Sequence, residues 1–225
     1  MLHYPTLILI SLALLVNNAS ADTNTPPNTV WMQTPSLNGS LPIQHWKARR
    51  DARVVKQDLD YSCGSASIAT ILTEYYRRPT TEQQILDLIV RHTGNKGRAS
   101  FADMQAVLPQ LGFKGIGVAT DWEQLLELKL PVIVYVQQRK EDHFTVITGI
   151  NDRLVKLADP SLGNRTLTRG QFKRLWETRN EQGLEGKMLA ILPLDTQLEQ
   201  QADSAFFTKP TFSPITQELL KRPQY

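Results

Sequence analysis

One cysteine, Cys63, stands in a chain of 225 residues. A lone thiol excludes an internal disulfide, so whatever this chain folds into must be held together by its own apolar core. About 200 residues can do that, because a domain of this size buries most of its apolar surface. The same count argues against a zinc site: His45, His92 and His143 are scattered, and no ligand pair stands at zinc spacing. The thiol is therefore either an inert core residue or a reactive one.

The ends bound the folded part. Leu7 to Val16 is almost unbroken apolar sequence, and Ala19-Ser20-Ala21 is a small-x-small cleavage site ahead of Asp22. The run is too short to span a bilayer, which takes about 20 apolar residues. Residues 1–21 thus read as a signal peptide of an exported protein with no membrane span after cleavage. Export brings an oxidising compartment, where a retained free thiol suggests use. Residues 22–50, rich in Thr, Asn, Pro and Ser, read as a flexible leader, 51–195 as the folded domain, and 196–225 as a peripheral or disordered tail. The formal charge is only +3. The local basic stretch Lys47 to Lys56 lacks aromatic interleaving, so nucleic acid is not an expected partner.

Within the domain, helical spacing predicts Cys63 to Tyr76, with Ile68, Leu72 and Tyr75 on one face and small residues Gly64 to Ser67 at its start. Thr81, Ser100, Asp121 and Thr168 read as N-caps of further helices, Thr168 with Gln171 in capping-box position. Val132-Ile133-Val134-Tyr135-Val136 is a β-branched run of a buried strand. His143 to Ile150 and Arg153 to Ala158 read as a hairpin about Asn151-Asp152, and Lys187 to Leu194 as the last strand. Helices first and antiparallel strands later make an α+β arrangement.

Four residues could carry chemistry. Cys63 opens a helix, where the positive end of the dipole favours an anion. Gln57, six residues upstream, could fold back and join the Cys63 N–H in donating to an oxyanion. His143 could pair with the thiol and Asp159 could orient its ring. The hairpin tests this on paper. A plain two-residue turn puts His143 and Asp159 on opposite faces, so the pairing requires an odd-length loop or a bulge. Each residue alone has an ordinary reading: a core cysteine, a structural histidine, a strand-ending Asp-Pro. Their order, with Gln57 and Gly64, favours a site.

The segments Gln57…Ser62-Cys63-Gly64, Asp142-His143-Phe144-Thr145-Val146, Ala158-Asp159-Pro160-Ser161-Leu162-Gly163 and Phe172…Trp176 resemble the bacteriocin-processing peptidase family over roughly Arg53 to Leu194. The resemblance implies a papain-like fold, with N-terminal helices packed on an antiparallel sheet, and a thiol endopeptidase that needs no cofactor. It makes Cys63 the nucleophile, His143 the general base, Asp159 its orienter and Gln57 the oxyanion donor. Ser62 departs from the Asp that exporter-linked members often carry, and the fused transmembrane and ATPase domains are absent. Free-standing periplasmic members accompany some functional-amyloid secretion systems, which implies a periplasmic enzyme acting on a secreted or envelope protein, with Gly-Gly-like sites carried over from the family. A papain-like cell-wall amidase and a client-binding module that does not cut are the rival readings.

Overall fold

The computed structural model describes residues 29–34, 37–43, 45–94, 98–138 and 141–212. Residues 1–21, read above as a signal peptide, lie outside them. Among the described residues no helix is long and apolar enough to cross a membrane.

Two units divide the chain at His45. In the first, β1 (Thr29–Thr34) and β2 (Leu37–Pro42) pair as an antiparallel hairpin. A flexible leader was expected over 22–50, and this hairpin is a correction to it. Composition averaged over the whole segment hid the run Thr29-Val30-Trp31-Met32, whose residues favour a pleated surface.

The second unit begins with α1 (Trp46–Asp51), followed by α2 (Cys63–Thr70), α3 (Glu82–Thr93) and α4 (Phe101–Val107). Every residue of α2 is buried. Its small side chains permit this: a Cβ on Gly64 would lie 2.2 Å from the Met104 methyl of α4. The helix was expected to continue to Tyr76. It instead widens into a π turn at Ile71–Tyr75, after which the Tyr76 hydroxyl donates to the Ile191 carbonyl at 2.6 Å. Capping boxes at Thr81–Gln84 and Ser100–Asp103 satisfy the first N–H groups of α3 and α4.

The rest of the unit is β3 (Phe113–Thr120), α5 (Trp122–Leu126), β4 (Val132–Gln138), β5 (Glu141–Ile150), β6 (Leu154–Asp159), β7 (Gly163–Thr168), α6 (Arg169–Trp176), β8 (Gly186–Pro193) and α7 (Thr196–Gln200). Six strands form one antiparallel sheet in the order β3-β8-β4-β5-β6-β7. One face packs on α2, α3 and α4 through Ile133, Val146, Ala158 and Leu189. The other buries Val134, Ile147 and Leu157 against Trp122, Phe172 and Trp176. A sheet covered on both sides explains why β4 is apolar without alternation.

The β5–β6 register contains the irregularity the site requires. Ile150 faces Val155, whereas Ile147 faces Leu157, and a bulge at Thr148 absorbs the difference. Continuing that register puts Thr145 opposite Asp159, so His143 is a diagonal neighbour of Asp159 on the same face.

Residues 196–212, expected to be peripheral or disordered, are seated on the second unit. Asp203 accepts from Arg53 and Arg77 at 2.6 and 2.5 Å, Phe206 is buried, and the Thr208 N–H donates to the Thr148 carbonyl in the bulge at 3.0 Å. Proline content suggested looseness, but one aromatic anchor and these backbone bonds seat the segment. A Cβ on Gly149 would stand 1.8 Å from the Thr208 carbonyl oxygen. Gly149→Ala is therefore expected to cost about 1–3 kcal/mol, as overpacking does, and to lower the melting temperature by several degrees. An unchanged melt would mean the segment is not held on β5.

Candidate active site

Local chain geometry brings the four residues together from three places. The turn before α2 is closed by Leu59, whose carbonyl accepts from Ser62 N at 3.2 Å, Ser62 Oγ at 2.8 Å and Gln57 Nε2 at 2.8 Å. Ser62 is the N-cap residue, yet its hydroxyl is engaged in this turn and makes no cap bond. Cys63 is the first helical residue and only 3% exposed. Asp58 N donates to both oxygens of the buried Glu82 carboxylate at 3.1 Å, which anchors the turn to α3.

His143, 9% exposed on β5, holds Asp159 at 3.0 Å between Nε2 and Oδ1. A carboxylate only accepts, so Nε2 carries the proton. With Nε2 turned to Asp159, Nδ1 is the nitrogen left for Cys63, whose influence on the ring raises its pKa. Burial alone would lower the imidazole pKa, but the hydrogen bonds and charges of Asp159 and Cys63 outweigh it and raise it to about 9. The imidazolium is thereby the favoured form at neutral pH.

Asp159 is fully buried. Its Oδ1 accepts three N–H groups: from His143, from Ser161 N at 2.9 Å and from Leu162 N at 3.0 Å. The last two are the bonds an aspartate makes when it opens a turn. Burial pushes its pKa up, but the His143 hydrogen bond and charge, the Leu162 N–H and Arg165 bring it below the usual carboxylate range. Oδ2 lies 3.1 Å from Arg165 Nη2, an ion-pair distance without hydrogen-bond alignment. Gln138 Oε1 accepts from the same Nη2 at 2.9 Å and fixes the guanidinium.

Gln57 docks on the turn after Asp159. Its N–H donates to the Pro160 carbonyl at 3.2 Å, and its Oε1 accepts from Ser161 Oγ at 2.8 Å. One of its two amide hydrogens is engaged by Leu59, which leaves the other as a donor.

Sequence reasoning missed Arg165 and the strand that carries it. The segment Gly163-Asn164-Arg165-Thr166-Leu167-Thr168 is too polar to read as a strand, and an arginine on a sheet edge is ordinary. The Asp-Pro turn that precedes it was the available signal.

Cys63 opens on a cleft of about 450 Å³ whose walls include Phe101, Tyr135 and Phe144. A buried thiol at a helix start, an imidazolium from a strand and a carboxylate behind it define a thiol hydrolase with a groove for a chain. The protein belongs to the Peptidase C39 family, whose sequence model matches residues 51–179. It is a cysteine peptidase, a hydrolase of peptide bonds. It is similar to the probable functional amyloid protease FapD of Pseudomonas aeruginosa, with 30% identity over 177 residues, 75% of each chain. The corresponding protein of Pseudomonas fluorescens is 33% identical over 138 residues, 60% of this chain and 61% of that one. The fold is shared with a double glycine motif protease from an AMS/PCAT transporter, solved in complex with the leader peptide. That likeness has a TM-score of 0.51 at 20% identity and covers 62% of this chain and 90% of that one. The peptidase domain of Streptococcus ComA is alike at a TM-score of 0.50 and 19% identity, over 62% and 97%.

Proposed function

We propose that this peptidase is exported, loses residues 1–21 and works in the periplasm on a secreted or envelope protein of a functional-amyloid export system, at Gly-Gly-like sites. Cys63 attacks the scissile carbonyl. His143 protonates the leaving amine and then, as general base, activates the water that releases the acyl group from sulfur. Asp159 orients the ring, and the free Gln57 N–H joins the Cys63 N–H at the oxyanion. The observation that carries this reading is the buried His143 ring, bonded through Nε2 to Asp159 at 3.0 Å, with Cys63 at the start of α2 among the groups that raise its pKa. Similarity to the FapD proteins supports the amyloid setting.

The test is digestion of an exported amyloid subunit and, in parallel, of purified cell wall, with sequencing of the new termini. Cleavage confined to the wall preparation would replace the endopeptidase reading with an amidase. The N-terminus of protein recovered from the periplasm reports on removal of residues 1–21.

The raised pKa of His143 sets a pH dependence. A group whose folded-state pKa is raised contributes stability below its unfolded value and loses it as pH climbs through the folded one. Here the window runs from about 6.5 to about 9. Peptide cleavage is expected to hold through neutrality and fall along an alkaline limb near pH 9, with thermal stability decreasing over the same window. A limb that stays in place in the His143→Gln protein's residual activity would assign it to another group.

A further inference from the structure

A second cavity, of about 430 Å³, shares no wall residue with the cleft that holds Cys63. Its volume is in the range of small-ligand sites. Three separated parts of the chain build it. Arg49 belongs to α1 and Arg53 follows that helix, Lys156 and Thr166 stand on β6 and β7, and Phe206 comes from the C-terminal segment. Lys156 lies directly opposite Thr166, so their side chains leave the same face of the sheet. Asn164 is on that face as well, and its amide donates to the Ala52 carbonyl at 2.6 Å, tying β7 to the end of α1. Arg53 is fixed in place: it donates to the Glu74 carboxylate at 2.8 Å and the Glu74 carbonyl at 2.7 Å, with its guanidinium 4.8 Å from the Phe206 ring centroid.

The charge of this cavity has one sign. Arg49, Arg53, Lys156 and Arg165 line it, and among the described residues no carboxylate does. Arg165 is engaged by Asp159, and Arg53 by Glu74 and Asp203. Asp51, two residues after Arg49, pairs with Arg50 at 2.7 Å and lies 3.9 Å from Lys56. Arg49 and Lys156 have no carboxylate within ion-pair distance among the described residues. Lys156 donates only to a neutral acceptor, Thr208 Oγ1 at 2.9 Å, and burial lowers its pKa. Two cations without acids of their own, beside a fixed guanidinium, complement a group with two negative charges better than a single carboxylate. A phosphate monoester carries about −1.5 to −2 at neutral pH, and guanidinium and ammonium groups both donate to its oxygens.

We propose that this cavity is a binding site for a phosphate monoester, with Arg49 and Lys156 as its charged contacts. The site stands apart from the peptidase chemistry. The test is equilibrium dialysis of the full chain with labelled glycerol 3-phosphate, sodium chloride holding the ionic strength constant, and thermal melting across the same titration. Saturable binding is expected, with a melting temperature that climbs over the same concentration range, because a ligand of the folded state stabilises it. Arg49→Gln combined with Lys156→Gln should weaken binding by about tenfold or more, the scale of losing charge-assisted hydrogen bonds. Arg49→Gln alone, at an exposed helix position that leaves the fold untouched, should weaken it by about threefold. Lys114→Gln, which removes an exposed cation on β3 at the opposite edge of the sheet, should leave it unchanged. Vesicles containing phosphatidic acid, compared with phosphatidylcholine alone, identify the source of the phosphate. Retention on the former that the double variant loses marks a lipid headgroup, and glycerol 3-phosphate binding without retention marks a free phosphate compound. No saturable binding of either, binding that survives the double substitution, or an equal loss in Lys114→Gln overturns the inference.

Discussion

Cys63→Ala is expected to abolish peptide-bond cleavage, by at least about 10⁴-fold on the scale of nucleophile deletions in catalytic triads, while the melting temperature moves by no more than a few degrees. The two halves of the result have separate causes. In the proposed mechanism the thiol forms the acyl-enzyme bond, and no other cysteine can substitute for it. Its packing role is small. Cys63 is a buried residue among α2's small side chains, and alanine keeps the Cβ and prefers the helix. Paired measurements decide the matter: fragment release from a protein substrate and thermal melting on one preparation. Cleavage that persists in the alanine protein would sink the nucleophile assignment. Loss of melting cooperativity along with activity would recast Cys63 as a structural residue.

His143→Ala should be nearly as damaging, because in the proposed mechanism the imidazole pairs with the nucleophile and carries the proton. Asp159→Asn should leave measurable activity, since asparagine's oxygen can still accept from His143 Nε2, Ser161 N and Leu162 N. It should nevertheless melt earlier than the wild type. Its amide nitrogen would face the Arg165 guanidinium, which now meets Oδ2 at 3.1 Å, and two donors cannot satisfy each other in a buried site. Residues that act as one unit are not additive, so Cys63→Ala with His143→Ala should be scarcely worse than either alone. Multiplicative losses in the double variant would mean that the thiol and the imidazole work independently, and the triad would have to be abandoned.

Much of this was legible from residue types whose physics is local. Thr81, Ser100, Asp121 and Thr168 cap the helices they were expected to cap, because a side-chain oxygen three residues before an orphan N–H has one good partner. The apolar run of β4 could only be a covered strand. The hairpin gave a parity condition, and the Thr148 bulge meets it. What stayed hidden depends on long-range geometry. Arg165 contributes nothing to periodicity and is informative only once β7 lies beside β6. The seating of residues 196–212 depends on the distant bulge at Thr148, which exposes one carbonyl to Thr208. The π turn after α2 shares its apolar spacing with an ordinary helix and could not be distinguished from it.

The position of β8 has a consequence for timing. It is the last strand among the described residues, yet it lies between β3 and β4, and β3 pairs with no other described strand. A polypeptide delivered N-terminus first, whether from a ribosome or through a translocase, has made Cys63, His143 and Asp159 well before it delivers Gly186 to Pro193. Until then one edge of β4 is bare and β3 is unattached, so the sheet is incomplete on that side. Non-local pairings of this kind form late and slowly. The order of the strands thus acts as a clock: a hydrolase that emerges site-first stays unfinished until β8 has followed.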